Sequence, residues 1–287
     1  MRSRLTGTLV VGAVFMMVLS ACASNSSSGN GGGGSSPSAT AALNTLTPGV
    51  LLVGSCLDYK PFEYYQGGQL VGFDVEIMEA IAQKLNLTLQ WKKSNFDTIF
   101  TALAAHSFDA VAAASTIKPD RLQVVNFSNP YYNARQAFSV NTSKTPTITN
   151  TDQLTSSDTV GVQKGTTGKD WAETNLAPKG VQIKTYVNAP DAFTDLEAGN
   201  ITGVINDEPS SEAEVSSRPS LKVVEAIDTN EHYGIAVAKD RPDILAGINS
   251  ALAAIIADGT YAKIYNKYFP GVPVPPEFGG SPTPAST

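Results

Sequence analysis

The run Gly165-Thr166-Thr167-Gly168 stands directly before a stretch of helical character that starts near Lys169. A glycine-rich turn at a helix N-terminus presents unpaired N–H groups, a geometry that holds an anion. The same residues describe a loop with an N-capping threonine, and both readings need one local geometry. Asp207 follows an apolar run, Gly203 to Asn206, and open α/β sheets take ligands at the carboxyl ends of their strands. It equally suits the N-cap of a helix opening at Pro209. Arg121 offers a planar fork that meets a carboxylate with two parallel hydrogen bonds; on sequence alone it serves as well to cap the Pro119–Gln123 turn. His106 and His232 lie far apart with no HxxxH spacing, and the chain has 2 cysteines. A zinc centre is therefore not expected, nor is a disulfide scaffold.

Lys+Arg is 20 against Asp+Glu 26, a net charge of −6. That balance lacks the basic footprint of a nucleic-acid binder. With 42% hydrophobic and 16% charged residues in 287, the chain can bury a sizeable core, and its length suits one large domain or two lobes.

Arg2 and Arg4 precede the apolar run Leu9–Leu19, which is shorter than the ~20 residues of a membrane-spanning helix and reads as a secretory signal. Leu19-Ser20-Ala21-Cys22 resembles a bacterial lipobox, which implies cleavage before Cys22 and lipid on its sulfur. Ordinary cleavage at the small residues around Cys22 is the alternative. The uncharged Gly/Ser segment from Ser24 to Thr40 favours lipidation. It reads as a flexible tether with a mean reach of about 23 Å.

From Val50 onward strand-like and helix-like stretches alternate. Val50–Val53, Leu87–Trp91, Asp109–Ala113, Thr159–Val162, Gln182–Val187, Gly203–Asn206 and Tyr233–Ala238 read as strands. Helices are expected over Asp74–Asn86, Phe96–Ala105, Lys169–Asn175, Asp191–Ala198, Pro209–Ser216, Asp243–Ala257 and Thr260–Phe269, on their apolar spacing. Such alternation points to an α/β fold with largely parallel sheets. The proline-rich segment after Pro270 reads as a disordered or extended tail.

Pro61-Phe62-Glu63 followed by Gly72-Phe73-Asp74-Val75-Glu76-Ile77 closely resembles the signature of the family 3 bacterial extracellular solute-binding proteins, the amino-acid receptors of ABC importers. Thr116-Ile117-Lys118-Pro119-Asp120-Arg121, then Phe127-Ser128-Asn129-Pro130-Tyr131, is similar to a second block. Gly161–Gly168, Asn206-Asp207, Tyr233-Gly234-Ile235-Ala236 and Asp258-Gly259-Thr260-Tyr261 continue it in order, so that the likeness covers roughly residues 48–270.

The resemblance implies a two-lobed, type II periplasmic-binding-protein-like α/β fold with the ligand cleft between lobes joined by two hinge strands. The implied plan is a signal over 1–21, a tether over 22–47, one lobe from 48–130 with 234–270, a second from 136–228, hinges at 131–135 and 229–233, and a tail over 271–287. The ligand carboxylate would meet Arg121, Thr116, Thr167 and, at the cleft edge, Thr166. Its ammonium would meet Asp207 and the Ala114 carbonyl. Tyr59 and Phe96 would wall the side chain, although Phe96 also begins an apolar stripe, and Gln163 would read its tip. The family often has an acid where this chain has Cys56, which weakens the case for a cationic ligand unless Asp58 substitutes. Glutamine and arginine are the first expectations.

The implied protein is a monomeric, extracytoplasmic lipoprotein, anchored through Cys22, that partners a free amino acid and an ABC permease and needs no cofactor or metal. A cyclohexadienyl-type dehydratase on the same scaffold, with Asp207, Glu208 or Asp58 as general acid, is the enzymatic alternative. An extracellular amino-acid sensor is the third.

Overall fold

The computed structural model describes residues 43–280. The signal-like run, Cys22 and most of the tether lie outside the described residues, as do 281–287.

The protein is a two-lobed α/β molecule. Its first lobe begins with β1 (Val50–Ser55), whose Leu51 and Val53 are wholly buried. A small antiparallel sheet follows: β2 (Asp58–Tyr59), β3 (Glu63–Gln66) and β4 (Gln69–Val71). Next come α1 (Phe73–Lys84), β5 (Thr88–Lys93), α2 (Phe96–Ala104), β6 (Ala110–Val111), α3 (Pro119–Val124) and β7 (Val125–Phe127). Ile77, Met78 and Ile81 of α1 are buried on one face, the stripe expected from their spacing. Gly72 opens α1 at φ 142°, where a Cβ would lie 2.0 Å from the Phe62 carbonyl oxygen. Only glycine fits that approach.

The chain then passes into the second lobe through β8 (Tyr132–Asn141). β9 (Thr159–Gln163), α4 (Thr167–Asn175), β10 (Gln182–Tyr186), α5 (Ala189–Ala198), β11 (Gly203–Asp207) and α6 (Glu208–Ser216) build it. β12 (Leu221–Tyr233) returns the chain to the first lobe, which β13 (Ala236–Ala238), α7 (Pro242–Ala257) and α8 (Thr260–Tyr268) complete. The first lobe's sheet has the order β5-β1-β6-β13-β7 and the second's the order β10-β9-β11-β8-β12. β9, β10 and β11 are parallel, whereas β8 runs antiparallel to both β11 and β12. β8 and β12 meet at the junction of the lobes, pairing Tyr132 with Tyr233.

Three expectations are corrected. The strand expected over Tyr233–Ala238 is split at Gly234-Ile235, because the chain changes sheets there. The strands β8 and β12 are longer than any expected. The first part of the tail is ordered: Pro276–Phe278 forms a 3₁₀ turn, and Phe278 is buried against Tyr261 with ring centroids 5.4 Å apart. A single buried aromatic anchors a segment whose prolines would otherwise keep it extended. Among the described residues, no single helix is long and apolar enough to cross a membrane.

Candidate functional site

The carboxyl ends of β1, β6, β9 and β11 converge on one cavity between the lobes. Eleven of the expected site positions can be located in the described residues, and ten of them line this cavity.

Arg121 sits in α3 and is 5% exposed. Its guanidinium packs against Phe96 and Phe100, with ring centroids 5.0 and 4.8 Å away. One terminal nitrogen donates to the Thr116 carbonyl at 2.7 Å, the other to the Gly165 carbonyl of the second lobe at 3.1 Å. No carboxylate forms an ion pair with it among the described residues. Burial pushes its pKa down, yet arginine keeps its proton throughout the accessible pH range. A cation held this way lacks only an anionic partner.

The Gly165 turn realises both readings of its sequence. Thr166 is the N-cap of α4, its hydroxyl accepting from the Lys169 N–H at 3.1 Å and donating to the Gln163 carbonyl at 2.7 Å. Gly165 has φ +78°, and a Cβ there would lie 3.0 Å from Asp97 Cα of the first lobe. The hydroxyls of Thr116 and Thr167 are not free for a ligand. They donate to Glu231 Oε2 at 2.6 and 2.7 Å. What these two residues and Thr166 can still offer an anion is backbone N–H, in Thr167 at the positive end of α4.

Asp207, at the end of β11, uses its carboxylate for the site and not as a helix cap. It accepts from the Tyr59 hydroxyl at 2.7 Å and from Gln136. Burial, and next the charge of Glu231, raise its pKa to about 6. Ala114 holds φ +45°, a conformation that costs a non-glycine residue of order 1–3 kcal/mol. Asp74 stabilises it by accepting the Ala114 N–H at 2.8 Å, and Asp74 is itself fixed by the Tyr131 hydroxyl. The Ala114 carbonyl and the Asp207 carboxylate thus form a pair of acceptors suited to an ammonium group.

The cavity also holds a residue that the sequence reading missed. Glu63 of β3 lines the cavity, is 0% exposed, and has no hydrogen-bond partner on either carboxylate oxygen among the described residues. Burial, then the charge of Asp74, push its pKa well above the usual carboxylate range. Cys56 lies on the same wall with its thiol pKa pushed up by burial and next by Glu63. Asp58, expected as the stand-in acid, is absent from the cavity and pairs with Lys93 at 3.0 Å. The alternation of β2 and β3 turns the two acids to opposite sides. Only the Pro61-Phe62-Glu63 motif itself pointed to Glu63. Gln163 donates through Nε2 to the Val187 carbonyl at 3.0 Å, which leaves Oε1 as an acceptor. Phe96 is both cavity wall and core residue. Across the rim, Lys118 pairs with Asp170 at 2.6 Å and Lys164 with Asp97 at 2.9 Å.

Residues 51–271 match the sequence model of bacterial extracellular solute-binding proteins, family 3. The chain is similar to a probable histidine-binding protein of Neisseria gonorrhoeae, 34% identical over 234 residues, covering 80% of this chain and 87% of that one. Two solved structures of an ancestral arginine-binding protein, one bound to arginine and one to glutamine, are each 37% identical with TM-score 0.74. They cover 77% and 78% of this chain and 98% and 99% of their own. An ancestral amino acid-binding protein that is a precursor of cyclohexadienyl dehydratase is 33% identical with TM-score 0.71, covering 77% of this chain and 96% of its own.

Proposed function

This chain belongs to the bacterial extracellular solute-binding proteins of family 3, and on that footing we propose that it captures a cationic amino acid, L-arginine first, and delivers it to an ABC importer. Glu63 is the observation that carries the cationic assignment. A carboxylate buried with no cationic partner is costly, and a guanidinium reaching it would remove that cost with two parallel bonds. Gln163 adds a neutral acceptor in the same cavity. The ligand carboxylate would meet Arg121 and the N–H groups of Thr116, Thr166 and Thr167, and the ammonium would meet Asp207 and the Ala114 carbonyl. Tyr59 and Phe96 would flank the aliphatic stem. Protonated, Glu63 can donate to an amide carbonyl, which supports glutamine as a second ligand. The similarity to the arginine-binding ancestor, seen with both ligands, supports the same pair.

Calorimetric titration with L-arginine tests this reading, and its pH dependence has a definite sign. The ammonium pairs with ionised Asp207, whose pKa is about 6 in the protein. Binding lowers that pKa, so the share of the affinity that depends on Asp207 is full above about pH 6 and falls below it, toward tenfold per pH unit. Glu63 acts in the same direction. Heat of binding at pH 7.5, weakened at pH 5 with proton release, is the expected result. No binding of L-arginine, or equal affinity at both pH values, would overturn the assignment. Recovery of L-arginine unchanged would match the relatives, which are named as binding proteins.

We further propose that Cys22 is lipidated and holds the protein at the outer face of the cell membrane, with the Gly/Ser segment as tether. Cys22→Ser should move the protein from the membrane fraction to the soluble one; retention in membranes would reject the anchor.

A further inference from the structure

Glu231 is nearly buried, 7% exposed, on the hinge strand β12. It lies outside the cavity and has no role in the ligand contacts proposed above. Its Oε2 accepts the Thr116 hydroxyl of the first lobe at 2.6 Å and the Thr167 hydroxyl of the second at 2.7 Å. Its Oε1 accepts the Thr229 hydroxyl at 2.7 Å and Gln136 Nε2 at 3.0 Å. Gln136 in turn reaches Thr167 at 3.2 Å and also Asp207. One carboxylate therefore has all its acceptor capacity filled by donors from both lobes and the hinge. A charge buried this way is stabilised only while every donor stays in place.

We propose that Glu231 is a positioning residue that clips the lobes together: it joins Thr116 to Thr167 through their hydroxyls, and so aims the backbone N–H groups of both threonines into the cavity. Opening the cleft separates the two threonines and leaves Glu231 short of a donor, which is a cost set against opening. The clip slows ligand release without touching the ligand. Its contribution to release rests on the ligand reading above; its contribution to closure does not.

The test compares Glu231→Gln with the native residue, both in a Cys22→Ser background, with the buried Cys56 left in place. Spin labels at Leu122→Cys and Val187→Cys, exposed positions on opposite lobes, report the interlobe distance. L-arginine release is followed by stopped flow. The amide can satisfy fewer of the four donors, so the share of molecules at the short distance should fall several-fold. The L-arginine off-rate should rise about tenfold with the on-rate changed less than threefold, since interface changes act mainly on dissociation. An unchanged distance distribution overturns the clip, even if release quickens, because Glu231 would then act on the ligand's contacts alone. A shifted distribution in a protein that does not bind L-arginine supports the clip and rejects only the ligand. Should Glu231→Gln fail to fold, Thr167→Val removes a single donor and must shift the distribution in the same direction.

Discussion

Arg121→Ala is expected to weaken amino-acid binding by about 3 kcal/mol, on the order of a hundredfold in Kd. The size follows from where the guanidinium sits. It is buried, packed on Phe96 and Phe100, and tied to two carbonyls but to no carboxylate. A ligand carboxylate placed there gains a desolvated, bidentate partner. Removing the partner leaves that carboxylate buried and short of its strongest donors. Arg121→Lys is no rescue, since an ammonium cannot reproduce the planar fork or its stacking. Titration calorimetry with L-arginine reads the effect directly; an affinity within threefold of the native value would remove Arg121 from the carboxylate site. The same substitution should spare agmatine, which has the guanidinium and no carboxylate.

Glu63→Gln is expected to change selectivity more than it changes affinity overall. L-arginine should lose about 2–3 kcal/mol, thirty- to a hundredfold, because a desolvated charge pair becomes a neutral contact. L-glutamine should stay within threefold, since the new amide can donate to its carbonyl as protonated Glu63 does. Discrimination is a difference of two affinities, so the ratio is the quantity to measure. Equal losses for both ligands would show that Glu63 only supports the fold. The proton release that accompanies L-arginine binding should shrink in this variant, leaving the share of Asp207.

Most of the architecture was legible because helices such as α1 and α7 carry clean apolar stripes and the parallel strands are short apolar runs. β8 and β12 were not. β12 spells LKVVEAIDTNEHY, with charged residues throughout, because it is an edge strand with much of its length toward solvent. Its propensity signal is diluted by that exposure. Arg121 and Asp207 each had two uses on sequence alone, and only the resemblance pointed both to the cavity that they line. Tyr59, Phe96 and Gln163 are also at the cavity, as the resemblance implied. Glu63 and Glu231 were hidden for different reasons. Glu63 lies one residue beyond a core phenylalanine, and which way its side chain turns depends on the β2–β3 register. Glu231 sits among the polar residues of a strand that only the resemblance implied, as a hinge over 229–233. Gln136 shares that fate on β8. The threonine hydroxyls show the limit of carrying a role over from a motif: residue type was right for an anion, and their protons turned out to be spoken for by Glu231.

The strand order of the first lobe also sets the sequence of events as the chain is made. β13 lies between β6 and β7, yet the whole second lobe is translated between β7 and β13. The second lobe is one continuous stretch and needs nothing that comes later. The first lobe waits, with β6 and β7 unpaired on the sides that β13 will fill and without α7 and α8 to cover α1. Joining ends so distant in sequence carries a loop-closure cost that is recovered only when the last segment arrives. The nascent chain therefore carries a finished second lobe beside an open sheet edge, the kind of surface on which other chains aggregate. That edge closes only when β13 has been synthesised and takes its place between β6 and β7.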